Sequence, residues 1–543
     1  EDALVKVYSK LYSNADRMPA GVSQPLVKAL SIDDVPILSL TLWGANYDGY
    51  QLRQIAGEVE HTIRQVPDVT ETTVIGGQPR EMRVVLSSTK LTAFGLSPDT
   101  IVQRLQAANA RTQSGAFSEQ NLEIRVDAGN LFTDAEDLAG VVLGVGSGRP
   151  VYLRDVADKI VDGPADPQNY ALFGTTAASA DGTLKDYPAV TITIAKRKGT
   201  NATDVANAVL KRVDEMRGVT LPADVHVTTT RNYGATAKAK SDELLKHLLL
   251  ATLSVTVLVA LFLGWRESGV VLLAIPVTLA LTMAVFYLLG YTLNRVTLFA
   301  LIFSIGILVD DAIVVVENMV RHFRMPANSR RPLSEVAVEA VAEVGNSTIL
   351  ATFTVVAAIL PMAFVRGLMG PYMRPIPVGA SLAMLFSLIV AFVVSPWAAM
   401  RLIGRKHLSG AQTLEPEKEG WLVRFYRRMM AALMRSERNR WMFLGAVALL
   451  LVAAAALVPL KMVLVKMLPF DNKSEFQVVL NMPDGTTLEQ TTRVAQAFGS
   501  YLGQQAEVDN YQIYAGTSGP YNFNGLVRHY YLRHQPNQAD IQV

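Results

Sequence analysis

The chain has 543 residues, 50% of them hydrophobic and 18% charged, and its 50 Lys and Arg against 48 Asp and Glu leave a net charge of only +2. That much apolar content beside that much charge implies a membrane bundle joined to water-facing domains, and no basic patch interleaved with aromatics points to nucleic acid. The absence of cysteine excludes disulfides and thiolate metal sites.

Residues 1–240 contain no apolar run long enough to span a bilayer. A strand is expected at Val35–Trp43, an amphipathic helix at Tyr50–Gln65 and a strand at Asp68–Ile75. In that helix Leu52, Ile55, Ala56, Val59 and Ile63 share one face. The pattern returns with a strand at Ala189–Ala195, a helix capped by Asn201 or Thr203 and running to Met216, and a strand at Asp224–Thr230. It returns again as Phe476–Asn481, Thr486–Tyr501 and Val508–Tyr514. Three β-α-β units with similar polar lead-ins suggest a repeated subdomain, split by a membrane block.

Between the first two units, Arg83–Leu86 and Val151–Val156 read as strands and Pro98–Ala108 as a helix. The glycine-rich VLGVGSGRP reads as a hairpin turn, not a dinucleotide fingerprint, because Pro150 follows at once and no helix opens after it.

Six membrane segments follow, at about 247–264, 269–290, 296–317, 345–365, 376–400 and 442–460, with Pro276, Pro361 and Pro396 inside three of them. Loop 321–331 carries Arg321, Arg324, Arg330 and Arg331, and loop 401–440 is richer still in Arg and Lys. The opposite loops hold only Arg295, Arg366 and Arg374, so the basic loops face the cytoplasm and both water-facing regions lie on the other side. Trp421–Ser436 is a cationic amphipathic stretch suited either to the cytoplasmic membrane face or to a loop helix packed against protein. Glu1 and Val543 both read as cuts, so the sequence is expected to be a fragment of something longer.

The third segment holds the most informative residues, Asp310 and Asp311, inside the apolar run ILVDDAIVVVEN. One carboxylate at the centre of a membrane helix costs about 2.5–3.5 kcal/mol on insertion scales, so such residues face a bundle interior and carry ions or protons. Two adjacent carboxylates also resist simultaneous ionisation. They point about 100° apart, toward different neighbours. No Lys occurs in the six segments, so the cation that a buried carboxylate needs is expected from helices outside this sequence. Glu317 and Asn318 read either as a proton exit or as a solvated helix end, and Met369 and Met373 as packing residues rather than soft-metal ligands. No nucleotide-binding motif and no nucleophile–base set suggests an enzyme.

The stretches SIGILVDDAIVVVENMVRHF, ILPMAFVRGLMGPYMRPI and LPFDNKSEFQVVLNMPDGTTLEQT resemble the resistance–nodulation–division (RND) inner-membrane efflux pumps. The paired aspartates favour the hydrophobe/amphiphile branch, and within it the chain resembles the triclosan type of pump. The resemblance implies an α-helical membrane bundle plus periplasmic α+β domains of repeated β-α-β porter subdomains. It divides the chain into 1–81 (end of the first porter subdomain and first part of the second), 82–165 (docking subdomain) and 166–240 (second part of the second porter subdomain). Next come 241–403 (membrane helices two to six of the family), 404–440 (cytoplasmic loop), 441–461 (helix seven) and 462–543 (start of the third porter subdomain).

It further implies drug/proton antiport with Asp310 and Asp311 as the proton relay, driven by the proton gradient with no cofactor and no metal. The implied partners are two further copies in a homotrimer, a periplasmic adaptor protein, an outer-membrane channel of TolC type, apolar or amphiphilic small molecules and the lipid bilayer. The implied location is the bacterial inner membrane, multi-pass, with periplasmic domains. Pro36 and Gly76 fall near places where such pumps carry pocket phenylalanines, and the inter-subunit arm at about 109–124 looks short. Heavy-metal efflux by the sister branch and a sensor built on the same scaffold are the alternatives at this point.

Overall fold

The computed structural model describes every residue except 1, 20, 24, 147, 176–184, 329, 367–369, 371–372, 404–420 and 464–473. It divides into two units, Glu1–Thr236 with Glu475–Val543, and Ala237–Ser474.

The first unit contains strands β1 (Leu38–Trp43), β2 (Val69–Ile75), β3 (Arg80–Leu86), β4 (Thr112–Glu119), β5 (Leu122–Ala128), β6 (Val142–Gly146) and β7 (Arg149–Tyr152). It continues with β8 (Ala157–Pro164), β9 (Tyr170–Thr175), β10 (Lys185–Lys196), β11 (His226–Asn232), β12 (Gln477–Asn481), β13 (Asn510–Ala515) and β14 (Gln538–Gln542). The main sheet runs β11-β1-β10-β9-β13-β14-β12, with β2 also on β10.

The first two β-α-β repeats are therefore halves of one four-stranded layer, β11-β1-β10-β2, rather than separate modules. This is the strand order of a split β-α-β fold. The third repeat builds a second layer with β9 and β14. β10 joins the layers, because its first residues pair with β9 while the rest pair with β1 and β2.

Local chemistry sets the helices. Asp48 caps the helix Gly49–Ile63 and Gln51 reciprocates, while Asn201 caps Ala202–Met216 and Thr487 caps Leu488–Leu502. The first two helices bury Leu52, Val59, Ile63, Val205, Val209 and Val213 against Leu40, Leu42, Ile192 and Ile194. β1 is buried on both faces because its other residues, Ser39, Thr41 and Trp43, are also covered. Thr41 Oγ1 lies 2.9 Å from Thr191 Oγ1, which lies 2.8 Å from the Tyr514 hydroxyl of β13. The two ends of the sheet path also meet: Arg231 of β11 bonds Glu475 before β12 and Gln542 of β14.

Residues 80–164 form a satellite. The ribbon β3–β8 leads into it, and Leu91, Ile101, Leu138, Leu143, Leu153 and Val156 form its core. The helix Pro98–Ala108 begins at Ser97, as its sequence indicates. The expected strand Val151–Val156 is corrected. Only its first residues belong to β7, and Leu153–Val156 is a helical turn. Asp155 accepts a bond from Tyr152 N at 2.8 Å, and the turn lets both Leu153 and Val156 point into the core, which strand alternation would forbid. β4 and β5 form a hairpin exposed along its whole length.

Among the described residues six helices are long and apolar enough to cross a membrane, Tyr233–Phe262, Trp265–Leu288, Arg295–Arg324, Leu333–Phe364, Pro375–Leu402 and Glu437–Ala456, and all but the first turn of the first lie in the second unit. Pro276 and Pro396 lie within α-helix, but Pro361 does not: the α-helix ends at Ile359 and Leu360–Phe364 is a 3-10 turn. Proline lacks the N–H that would continue the ladder. Arg295–Arg324 is the hub, packed against Trp265–Leu288, Leu333–Ile359 and Pro375–Leu402. The cationic stretch is a helix, Trp421–Arg435.

Candidate functional site

Asn294 opens the aspartate helix by capping Val296 N and Thr297 N. From Val296 the chain carries no charged residue until the two carboxylates. Their environments differ. Asp311 is 7% exposed and faces the bundle, whereas Asp310 is exposed. The cause is helical spacing, since adjacent residues project about 100° apart. Asp310 belongs to an uncovered stripe with Phe299, Phe303, Gly306, Val314 and Glu317, all at steps of three or four.

Asp311 Oδ1 lies 3.5 Å from Thr352 Oγ1 of the helix Leu333–Ile359, and Oδ2 has no hydrogen-bond partner among the described residues. Ser387 of Pro375–Leu402 stands close by and donates to Leu308 O at 2.8 Å. Thr278, Thr282 and Thr348 satisfy their hydroxyls on carbonyls of their own helices, the usual solution for such residues in an apolar bundle. Among the described residues no cation pairs with either aspartate. The buried carboxyl can exchange a proton and, with it, its demand on the Thr352 hydroxyl.

Eleven residues further along the helix stands a second polar group that sequence reasoning missed. Glu343 accepts from Asn318 Nδ2 at 3.3 Å, with both of its oxygens from Arg321 Nη2, and from His322 Nε2. Asn318 is buried and also donates to Ala340 O at 2.7 Å, so it is part of this cluster and not a solvated helix end. Glu317 is exposed on the Asp310 stripe. A signal for the cluster existed in the sequence, because Asn318, Arg321 and His322 recur at helical spacing on one face.

Of the other candidates, Met373 is half-buried and Met369 lies outside the described residues. Pro36 is buried beside β1. Gly76 has φ +89°, and a side chain there would strike Ala171 and the Ala189 carbonyl, so no aromatic can occupy it.

Residues 1–531 match the AcrB/AcrD/AcrF family. The multidrug resistance protein MdtC of Yersinia pestis bv. Antiqua (strain Angola) is 29% identical over 409 residues, covering 75% of this chain and 38% of that protein. MdtC of Yersinia pseudotuberculosis serotype O:1b (strain IP 31758) aligns to the same extent. This chain thus spans well under half the length of these relatives. Neither relative is named for triclosan, and that narrower reading stays an expectation of the sequence. With six apolar helices and several β-sheets among the described residues, the chain belongs to the AcrB/AcrD/AcrF family of RND transporters and is a multi-pass inner-membrane protein with periplasmic domains.

Proposed function

We propose that this chain forms part of a pump that exports hydrophobic or amphiphilic compounds by drug/proton antiport. The observation that supports this most is the buried Asp311 carboxyl, held between apolar helices with the Thr352 hydroxyl against it and Ser387 close by. A charge there is expensive, so gain or loss of a proton changes which helix packing is favourable. Asp310, on the uncovered face, is placed to meet a cation from the rest of the protein. The proton gradient is the only energy source this mechanism requires.

In this reading residues 82–165 are the docking subdomain and the layers around β1 and β12 are porter elements. The exposed β4–β5 hairpin is the arm that reaches a neighbouring copy in a homotrimer. An isolated two-stranded hairpin is only marginally stable in water, which favours an occupied partner surface. A periplasmic adaptor and a TolC-type outer-membrane channel complete the assembly.

The test uses the full-length protein. Asp310→Asn and Asp311→Asn should each abolish resistance while trimer assembly persists. Proton-coupled export surviving in both variants would overturn the reading.

A further inference from the structure

The four buried polar atoms of the membrane unit that lack a hydrogen-bond partner, among the described residues, are Asp311 Oδ2, His322 Nδ1, Ser381 Oγ and Ser395 Oγ. Unpartnered buried polar atoms are uncommon and each calls for a reason. Three of these lie in sequence along the inner flank of the aspartate helix. Ser395 shares a helix face with Ala391 and Ala398, which pack on Val315, Val316 and Met319 of the aspartate helix. It lies about 12 Å beyond Ser387 along its own helix, toward the cytoplasmic end. His322 lies about 16 Å beyond Asp311 on the aspartate helix. On the third helix, Thr348 sits one turn from Thr352 and Glu343 a little more than another turn further. The seam between these helices therefore has polar groups at each level, separated by Val315, Val316 and Met319, which are completely buried.

The far end of the seam opens to water. His322 is 7% exposed, whereas the Glu343 side chain it donates to is 48% exposed. The imidazole spans the boundary, with Nε2 on the Glu343 carboxylate and Nδ1 inside without a partner. The charged groups tied to it are Glu343 on the facing helix, Arg321 on its own, and Arg331 through Asn328, which donates to His322 O. Arg331 is itself paired with Glu339.

We infer that His322 and Glu343 are the inner release station for protons leaving Asp311, a step that rests on the relay reading above. When the helices part enough to admit water along the seam, a proton from Asp311 reaches His322 Nδ1 past Thr348 and Ser395. The ring passes its Nε2 proton to Glu343, and Glu343 gives it to cytoplasmic water. Rotation then brings both ring nitrogens to cytoplasmic water, where Nε2 takes up a proton and Nδ1 releases one, and this exchange restores the starting tautomer. When the helices close, the buried valines break the path, and this separation prevents a proton leak.

The experiment uses the full-length pump in liposomes, with a pH-sensitive dye in the compartment that contacts the 321–331 loop. His322→Gln keeps a group that can donate to Glu343 but cannot carry a proton. It should slow substrate-driven proton release by on the order of a hundredfold, with trimer assembly and substrate affinity unchanged. Glu343→Gln should slow release as well and guards against a folding defect in the His322 variant. Added imidazole should restore release in His322→Ala and not in Asp311→Asn. If His322→Gln and Glu343→Gln both keep the normal rate and pH profile while Asp311→Asn is inactive, the release station is wrong and the relay stands. If Asp311→Asn itself still couples export to protons, the underlying relay reading fails.

Discussion

Thr352 Oγ1 stands 3.5 Å from Asp311 Oδ1 and 2.9 Å from the carbonyl of Thr348 one turn back in its own helix. A hydroxyl has one hydrogen and two lone pairs. With Asp311 protonated, the carboxyl can donate to Thr352 while Thr352 keeps its bond to Thr348. With Asp311 ionised, Thr352 must turn its hydrogen toward the carboxylate. One side chain thus serves both protonation states without moving its backbone.

Thr352→Val should therefore weaken coupling without abolishing it. Loss of one hydrogen bond is worth about 1 kcal/mol, so proton-coupled turnover in liposomes should fall about fivefold, with Thr352→Ser close to the native rate. An unchanged rate in the valine variant would show that the hydroxyl has no part in the exchange.

In the water-facing unit, the Tyr511 ring of β13 occupies a slot made by two glycines. A side chain at Gly174 of β9 or at Gly499 of the helix Leu488–Leu502 would overlap it. Its hydroxyl donates to Asp186 Oδ1 at 2.6 Å. Gly174→Ala and Gly499→Ala should each destabilise this layer by about 1–3 kcal/mol. Tyr511→Leu should relieve part of that cost in the double variant. Thermal unfolding of the native protein with the single and double variants measures the coupling, and strict additivity would count against the slot.

Arg231 closes the sheet path. Its side chain is 3% exposed and lies 3.0 Å from Glu475, with further bonds to Tyr521 O and Gln542 Oε1. Removing one member of a buried pair leaves the other charge uncompensated, so Arg231→Met should cost about 3–5 kcal/mol. Arg231→Met with Glu475→Leu should cost less than the sum of the single changes. Denaturant unfolding of the set decides between a buried pair and an incidental contact.

Asp162 of β8 is held below the ordinary carboxylate range, first by its hydrogen bonds from Arg80 and then by that guanidinium's charge. Asp137 is lowered in the same region by the Thr133 hydroxyl and backbone N–H. A lowered native value stabilises the fold above the unfolded carboxylate range, and the benefit disappears as pH falls through the native value. Amide hydrogen exchange over residues 80–164 should accelerate on acidification, and Asp162→Asn should flatten that pH dependence. An equally steep profile in the variant would exclude the Arg80 pair as its source.

The elements of this fold are largely legible in the residues. Asp48 with Gln51, Asn201 and Ser97 mark helix starts, and the apolar runs after Arg295 and Arg374 mark membrane helices. The signals are local: a cap is a bond to a neighbour two or three residues on, and a span is a length of chain matched to a bilayer. Where the rule failed, at Leu153–Val156, a short apolar segment could satisfy a strand pattern or a helical turn, and the satellite core chose the turn.

The sequence by itself determined that two carboxylates sit inside an apolar helix, that six helices are long enough for a membrane, and that three β-α-β units flank them. Only the tertiary structure decided that Asp311 and not Asp310 faces Thr352, that two of the repeats interleave in one layer, and that Glu343 gathers Asn318, Arg321 and His322. Periodicity gives the angle between side chains on one helix. Which of those directions is covered depends on helices and strands far away in the chain, whose packing no local pattern encodes.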